Sequence, residues 1–191
     1  MIRSIRSSRE TRQRPSLRRG QALIEFALVL PVLALFLLSI LQFGVLFSTQ
    51  VGITNAVREA VRNASAIPVA TVSDATNAAN SVYSRLTGAN GLLARTGSSY
   101  LPGALVQSGN PRTQVCYYSY LDETSNWSIM ARVNVQYRHP LFIPVISNII
   151  DGFDGANDQA YRIGVSEEVR VSNGILASTD IGNNGSPTCI G

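Results

Sequence analysis

Hydrophobic and polar positions divide this chain into two unlike parts. From Phe26 to Phe47 the sequence reads FALVLPVLALFLLSILQFGVLF, without a single charge. As an α-helix this run covers about 33 Å, enough for a hydrocarbon core of about 30 Å. Ser39, Gln42 and Gly44 interrupt it but build no polar face, such as a half-buried soluble helix would show. The pattern predicts a membrane-spanning helix. Helix formers continue from Ser48 to Ala66, where Val57, Ala60, Val61 and Ala64 fall on one stripe at spacings of three and four. Pro68 ends this extension.

Downstream the periodicity changes. A second helix is predicted from Ser73, as its N-cap, to about Leu86, with Gly88 as the stop. Residues 87–112 are rich in Gly, Ser, Asn and Pro and read as loops. Gln114–Tyr120 has strand composition. In Ser128–Tyr137, Ile129, Ala131, Val133, Val135 and Tyr137 alternate with polar or bulky neighbours, and Leu121–Trp127 would join the two strands as a hairpin. A third strand is predicted from about Ala160 to Val171. Leu141–Ile150 is apolar but too short to span a bilayer. It reads as core, the alternative being a membrane-skimming or partner-binding patch.

The expected class is therefore α+β: a long N-terminal transmembrane helix extending into a small exported domain with an antiparallel sheet. The divisions are a leader at 1–20, a span at 21–47, a helix extension at 48–67, a domain at 68–177 and a tail at 178–191.

Charge sets the orientation. Every basic residue is Arg, and seven of them (Arg3, Arg6, Arg9, Arg12, Arg14, Arg18 and Arg19) precede the span against one acid, Glu10. The next is Arg58, so the positive-inside rule puts the N-terminus in the cytoplasm and the domain outside. The high pI of 9.4 belongs to the leader, because the rest of the chain has more acids than arginines. No nucleic-acid partner is expected, since such binding wants its basic surface on the folded domain. A secretory signal peptide fits poorly: the apolar run is too long and no A-x-A site closes it.

Glu25 stands at the cytoplasmic edge of the run, where a carboxylate is costly and marks a functional position unless it merely snorkels to the interface. Its context is Arg18-Arg19-Gly20-Gln21-Ala22-Leu23-Ile24-Glu25-Phe26. A cut after Gly20 would leave the Gln21 amine one helical turn before Glu25. The carboxylate of one subunit would then pair with the amine of a neighbour, offsetting the desolvation of both. Pro31 lies inside the helix, where a proline removes a hydrogen bond and kinks the axis.

The Gly20/Gln21…Glu25-Phe26 arrangement at the head of an apolar helix resembles the processing site of type IV prepilins in the Flp/Tad branch. The longer string Arg18–Gly44, Pro31 included, is similar to the TadE-like family of pilus-assembly pseudopilins, and Ala131–Pro144 resembles that family more loosely. The resemblance implies a pilin-like architecture and cleavage after Gly20 by a prepilin peptidase. It also implies partnership with other pilin or pseudopilin subunits through the N-terminal helix, in the bacterial cytoplasmic (inner) membrane. It implies no catalysis by this chain and no cofactor. Residues 68–125 fall outside it.

Catalytic and metal signals are weak. The lone His139 supports neither a metal cluster nor a triad. Asp151–Asp158 misses the calcium-loop spacing and reads as a turn. Sequons at Asn63 and Asn126 are chance matches for a bacterial protein. Cys116 and Cys189 both fall on the expected exported side, where an oxidising compartment permits a disulfide tying the tail to a strand; the alternative is two free thiols. Two roles stay open: a structural pilus-assembly component, or a membrane-tethered binding module that uses the helix only as an anchor.

Overall fold

The computed structural model describes residues 18–94, 104–121, 127–144, 147–149, 152, 159–171, 181 and 187–191. Helix α1 (Arg18–Ala66) carries Pro31 within it, and α2 (Val72–Thr87) follows. Among the described residues, five strands complete the α+β fold: β1 (Ala104–Leu105), β2 (Gln114–Leu121), β3 (Trp127–Pro140), β4 (Ala160–Arg170) and β5 (Thr188–Ile190). The chain divides into two compact units, one ending at Leu38 and the other running from Ser39 to Gly191.

In the first unit α1 exposes its side chains all round from Gly20 to Leu38. Large aliphatic and aromatic residues such as Leu23, Leu28, Leu33 and Phe36 are all open. A helix of this length and composition that buries nothing within its own chain is suited to lipid, not water.

The second unit is a two-layer domain. Strand β3 is its spine, antiparallel to β2 through Gln114↔Asn134 to Leu121↔Trp127 and to β4 through Met130↔Arg170 to Pro140↔Ala160. Strand β1 pairs with β3 beyond the end of β2, and β5 lines the far edge of β2. The alternation expected in β3 is present: Ile129, Ala131, Val133, Val135, Tyr137 and His139 are buried, while the residues between Ile129 and His139 are more open. This face meets Ile53, Ala56, Val57, Ala60, Val61 and Ala64 of α1 and Ala75, Ala78, Ala79, Val82 and Leu86 of α2 in one core. Small residues dominate both helix stripes, which lets the helices lie close to the sheet. Tyr117 reaches through this layer, and its hydroxyl donates to the Ala64 carbonyl at 3.2 Å. That carbonyl lies in the last turn of α1, where it has no partner within the helix.

Several expectations need correction. The N-cap of α2 is Thr71, not Ser73: Thr71 Oγ1 accepts from the Asp74 amide, and the Asp74 carboxylate accepts from the Thr71 amide. This reciprocal arrangement satisfies two amide donors, whereas a cap at Ser73 would satisfy fewer. Hydrogen bonds from Thr71 also hold the Asp74 carboxyl below its ordinary pKa. Gly88 does close α2: its amide donates to Ser84 O at 2.8 Å, and a Cβ there would lie 2.6 Å from that same oxygen. Strand β3 runs three residues beyond Tyr137, because β4 pairs with it as far as Pro140. The 87–112 segment, read as loops, contains β1, and the tail contains β5. Leu141–Ile150 is not simply core: Leu141 and Ser147 are buried, but Phe142, Pro144 and Ile149 are exposed. The leader arginines up to Arg14, Asn126 and, apart from Gly152, the Asp151–Asp158 turn lie outside the described residues.

Candidate functional site

The head of α1 holds the residues singled out from the sequence. Gly20, Gln21, Glu25 and Phe26 all lie on continuous helix and all are exposed. Gln21 and Glu25 are one turn apart, and Gln21 Nε2 donates to Glu25 Oε1 at 3.0 Å. The carboxylate is therefore accessible and, among the described residues, engaged by a neutral donor from its own helix. A Cβ built at Gly20 meets no atom within 4 Å. Gly20 is the third residue of α1, and like Gly44 further along the helix it has no neighbour that requires a glycine.

A second constellation forms where the sheet domain meets α1. The buried stripe of the helix does not begin at Ile53; Gln42, Leu46 and Thr49 precede it on the same face. Gln42 Oε1 accepts the Phe142 amide at 3.0 Å, joining the helix to the connection that follows β3. Among the described residues, buried Gln42 Nε2 has no hydrogen-bond partner. His139 is fully buried, and among the described residues neither ring nitrogen has a hydrogen-bond partner; its ring stands edge-on to Phe142 with centroids 6.4 Å apart. Burial lowers the His139 pKa, which keeps the imidazole neutral. The sequence marked His139 as structural and Gln42 only as an interruption; the signal missed was that Gln42, Leu46, Thr49 and Ile53 continue one helix face at spacings of three and four.

On the sheet face away from the helices, Tyr118, Arg132 and Glu168 tie three strands together. Tyr118 donates to Glu168 Oε2 at 2.9 Å, Arg132 pairs with Glu168 Oε1, and the guanidinium carbon lies 5.1 Å from the Tyr118 ring centroid. Burial, then the neighbouring carboxylate, raises the Tyr118 pKa. For Arg132 desolvation lowers the pKa, but the Glu168 hydrogen bond and charge, with Tyr118, outweigh it and raise the pKa on balance. Buried Tyr117 is pushed up to about 12 by desolvation. These are cross-strand braces.

Beyond the Cys116–Cys189 bond described by the structure, the redox and metal chemistry is sparse. Among the described residues no three His, Cys, Asp or Glu side chains group in a way that would hold a metal ion. A cavity of about 380 Å³ lies between residues 105–111 and the β3–β4 pair, where Arg138 and Arg162 face each other in register. It holds no acid, histidine or cysteine.

No curated protein and no solved structure matches the chain. The family model described as TadE-like protein matches residues 20–62, beginning at Gly20 and covering most of α1. Over this segment the chain is similar to the TadE-like family.

Proposed function

We propose that this chain is a pseudopilin-like component of a Tad-type pilus assembly or secretion system. It is held in the bacterial cytoplasmic membrane by α1, with the sheet domain on the extracytoplasmic side, and is cut after Gly20 by a prepilin peptidase. The observation that carries this reading is the head of α1. The TadE-like match starts at Gly20, a glycine no packing contact requires, and Glu25 follows on an exposed face. A small residue left open on the helix ahead of an exposed carboxylate suits recognition by another protein. After cleavage the new Gln21 amine of one subunit replaces the Gln21 amide as partner of a neighbour's Glu25. A charged donor gives the stronger bond, so subunit packing gains where the intrahelical bond is given up. The chain takes part as substrate and structural subunit, without catalysis or cofactor.

Co-expression with an active prepilin peptidase, followed by intact-mass measurement, tests the proposal. Loss of residues 1–20 supports it. A full-length mass, with a known prepilin cleaved in the same cells, overturns it and leaves the helix as an anchor only.

A further inference from the structure

We propose that residues 141–144 and 147–149, which follow β3, form a membrane-contacting surface seated in the lipid leaflet on the sheet-domain side. The inference rests on reading α1 as a membrane span, and goes beyond it by placing part of the domain in lipid.

Gln42 lies inside the uncharged run, so about 7 Å of apolar helix still follows it before Phe47. Over that stretch the domain covers only one side of α1. Gln42 and Leu46 are buried, but Phe43 and Phe47, on the same two turns, remain 44% and 60% exposed. An apolar surface that stays uncovered there belongs in lipid, and whatever packs on the opposite side at the same level shares that depth. What packs there is Phe142, whose amide is held by Gln42.

The loop has the composition this position demands. Leu141–Ile150 carries no charge, and Phe142 and Ile149 are 52% and 57% exposed. Against acyl chains such exposed side chains are stabilising, because burial in lipid removes their apolar surface from water. Among the described residues of this stretch only 141–143 are irregular, since Pro144 and residues 147–149 are helical and the Ser147 amide donates to Ile143 O at 2.9 Å. Non-helical backbone in lipid needs its amides satisfied, and the Gln42–Phe142 bond does this at the first exposed residue. The Leu141 amide is likewise satisfied, donating to Gln159 O at 3.0 Å. One or two register positions further from the loop, Tyr161, Arg138 and Arg162 are exposed on the paired ends of β3 and β4. Aromatic and basic side chains of this kind suit the headgroup level. The partner is thus phospholipid, continuous with the bilayer around the helix.

Single-tryptophan versions of the full chain test this in vesicles of acyl-brominated phosphatidylcholine and phosphatidylglycerol. In a Trp127→Phe background, Phe142→Trp and Ile149→Trp report the loop independently, and Leu33→Trp reports the span. The expected result is loss of emission from both loop probes with bromines near the carbonyl end of the chains. Leu33→Trp loses emission to bromines deeper in the chains, and native Trp127, in the otherwise unaltered chain, keeps its emission. Unquenched loop probes beside a quenched Leu33→Trp overturn the loop proposal and leave the anchor intact. A blue-shifted but unquenched Phe142→Trp also overturns it, because protein would then cover the site. If Leu33→Trp is unquenched too, the anchor reading falls as well. Quenching of Trp127 equal to that of the loop overturns the proposal, since the whole sheet would then lie on lipid.

Discussion

Breaking the Cys116–Cys189 bond is the sharpest test of how the sheet domain is held. Strand β5 has three residues and pairs with β2 through Val115↔Ile190, Cys116↔Cys189 and Tyr117↔Thr188. So short a strand has few ladder bonds of its own; Ile190 packs against the core, Thr188 Oγ1 donates to Ile181 O, and the covalent link adds to these. The two cysteines are 73 residues apart in sequence. In the chain-entropy account, releasing a loop of that length restores about 15 cal/mol/K to the unfolded chain, or about 4 kcal/mol at 25 °C. A domain of this size is typically stable by about 5–15 kcal/mol, so reduction removes a large share.

The full chain in detergent micelles, unfolded with guanidinium and followed by Trp127 fluorescence, reads the change. The reduced protein should unfold about 4 kcal/mol sooner. The Cys116→Ala/Cys189→Ala variant should lose slightly more, because Cys116 is buried and its sulfur leaves a small void. Cys189→Ala alone should match the reduced protein closely. A loss below about 1 kcal/mol, the scale of one hydrogen bond, would refute the reasoning. The segment from β2 to β5 would then be nearly as confined without the bond as with it, leaving the disulfide no conformational entropy to remove.

Four further outcomes are expected. Tyr117→Phe should cost about 1 kcal/mol, because it removes the donor to the Ala64 carbonyl; an unchanged unfolding midpoint would show that the bond contributes nothing. Thr71→Ala should cost about 1 kcal/mol through loss of the α2 cap, while Thr71→Ser should cost much less; equal losses in the two would count against the capping box. Gly20→Leu should leave circular dichroism unchanged and abolish removal of the leader by the peptidase, since the helix has room for the side chain; normal processing would discard Gly20 as the cleavage residue. Burial lowers the folded-state pKa of His139 from 6.5, so its unfolded form takes up a proton first as pH falls. Stability should hold above about pH 6.5 and decline as pH drops from there toward the folded value, and His139→Leu should flatten the profile in that window; the same slope in both proteins would exonerate the imidazole.

How much of this was legible in the sequence follows from what kind of force shapes each element. The apolar run and the alternation of Ile129 to Tyr137 were legible because burial imprints its own period on a long element. Strands β1 and β5 were not, since two or three residues are held by neighbours and, in β5, by a covalent bond, and none of this leaves a local pattern. The α2 cap was misplaced by two residues because Thr71 and Ser73 are both capable caps; only Asp74, three residues after Thr71, distinguishes them. At the head of α1 the sequence named Gly20 and Glu25, and the structure adds that both stand open on the helix without a packing role. Leu141–Ile150 fails differently. Its hydrophobicity says that it avoids water, but core and lipid are equally good refuges for a Phe or an Ile. The choice depends on which surface faces it, and that is set by residues a hundred positions away. The Gln42 carbonyl on the Phe142 amide supplies this information, because it ties the loop to a turn of α1 whose other sides are bare phenylalanine. A polar residue that looked like a blemish in an apolar helix is thus the anchor point from which the position of the domain's most hydrophobic loop is read.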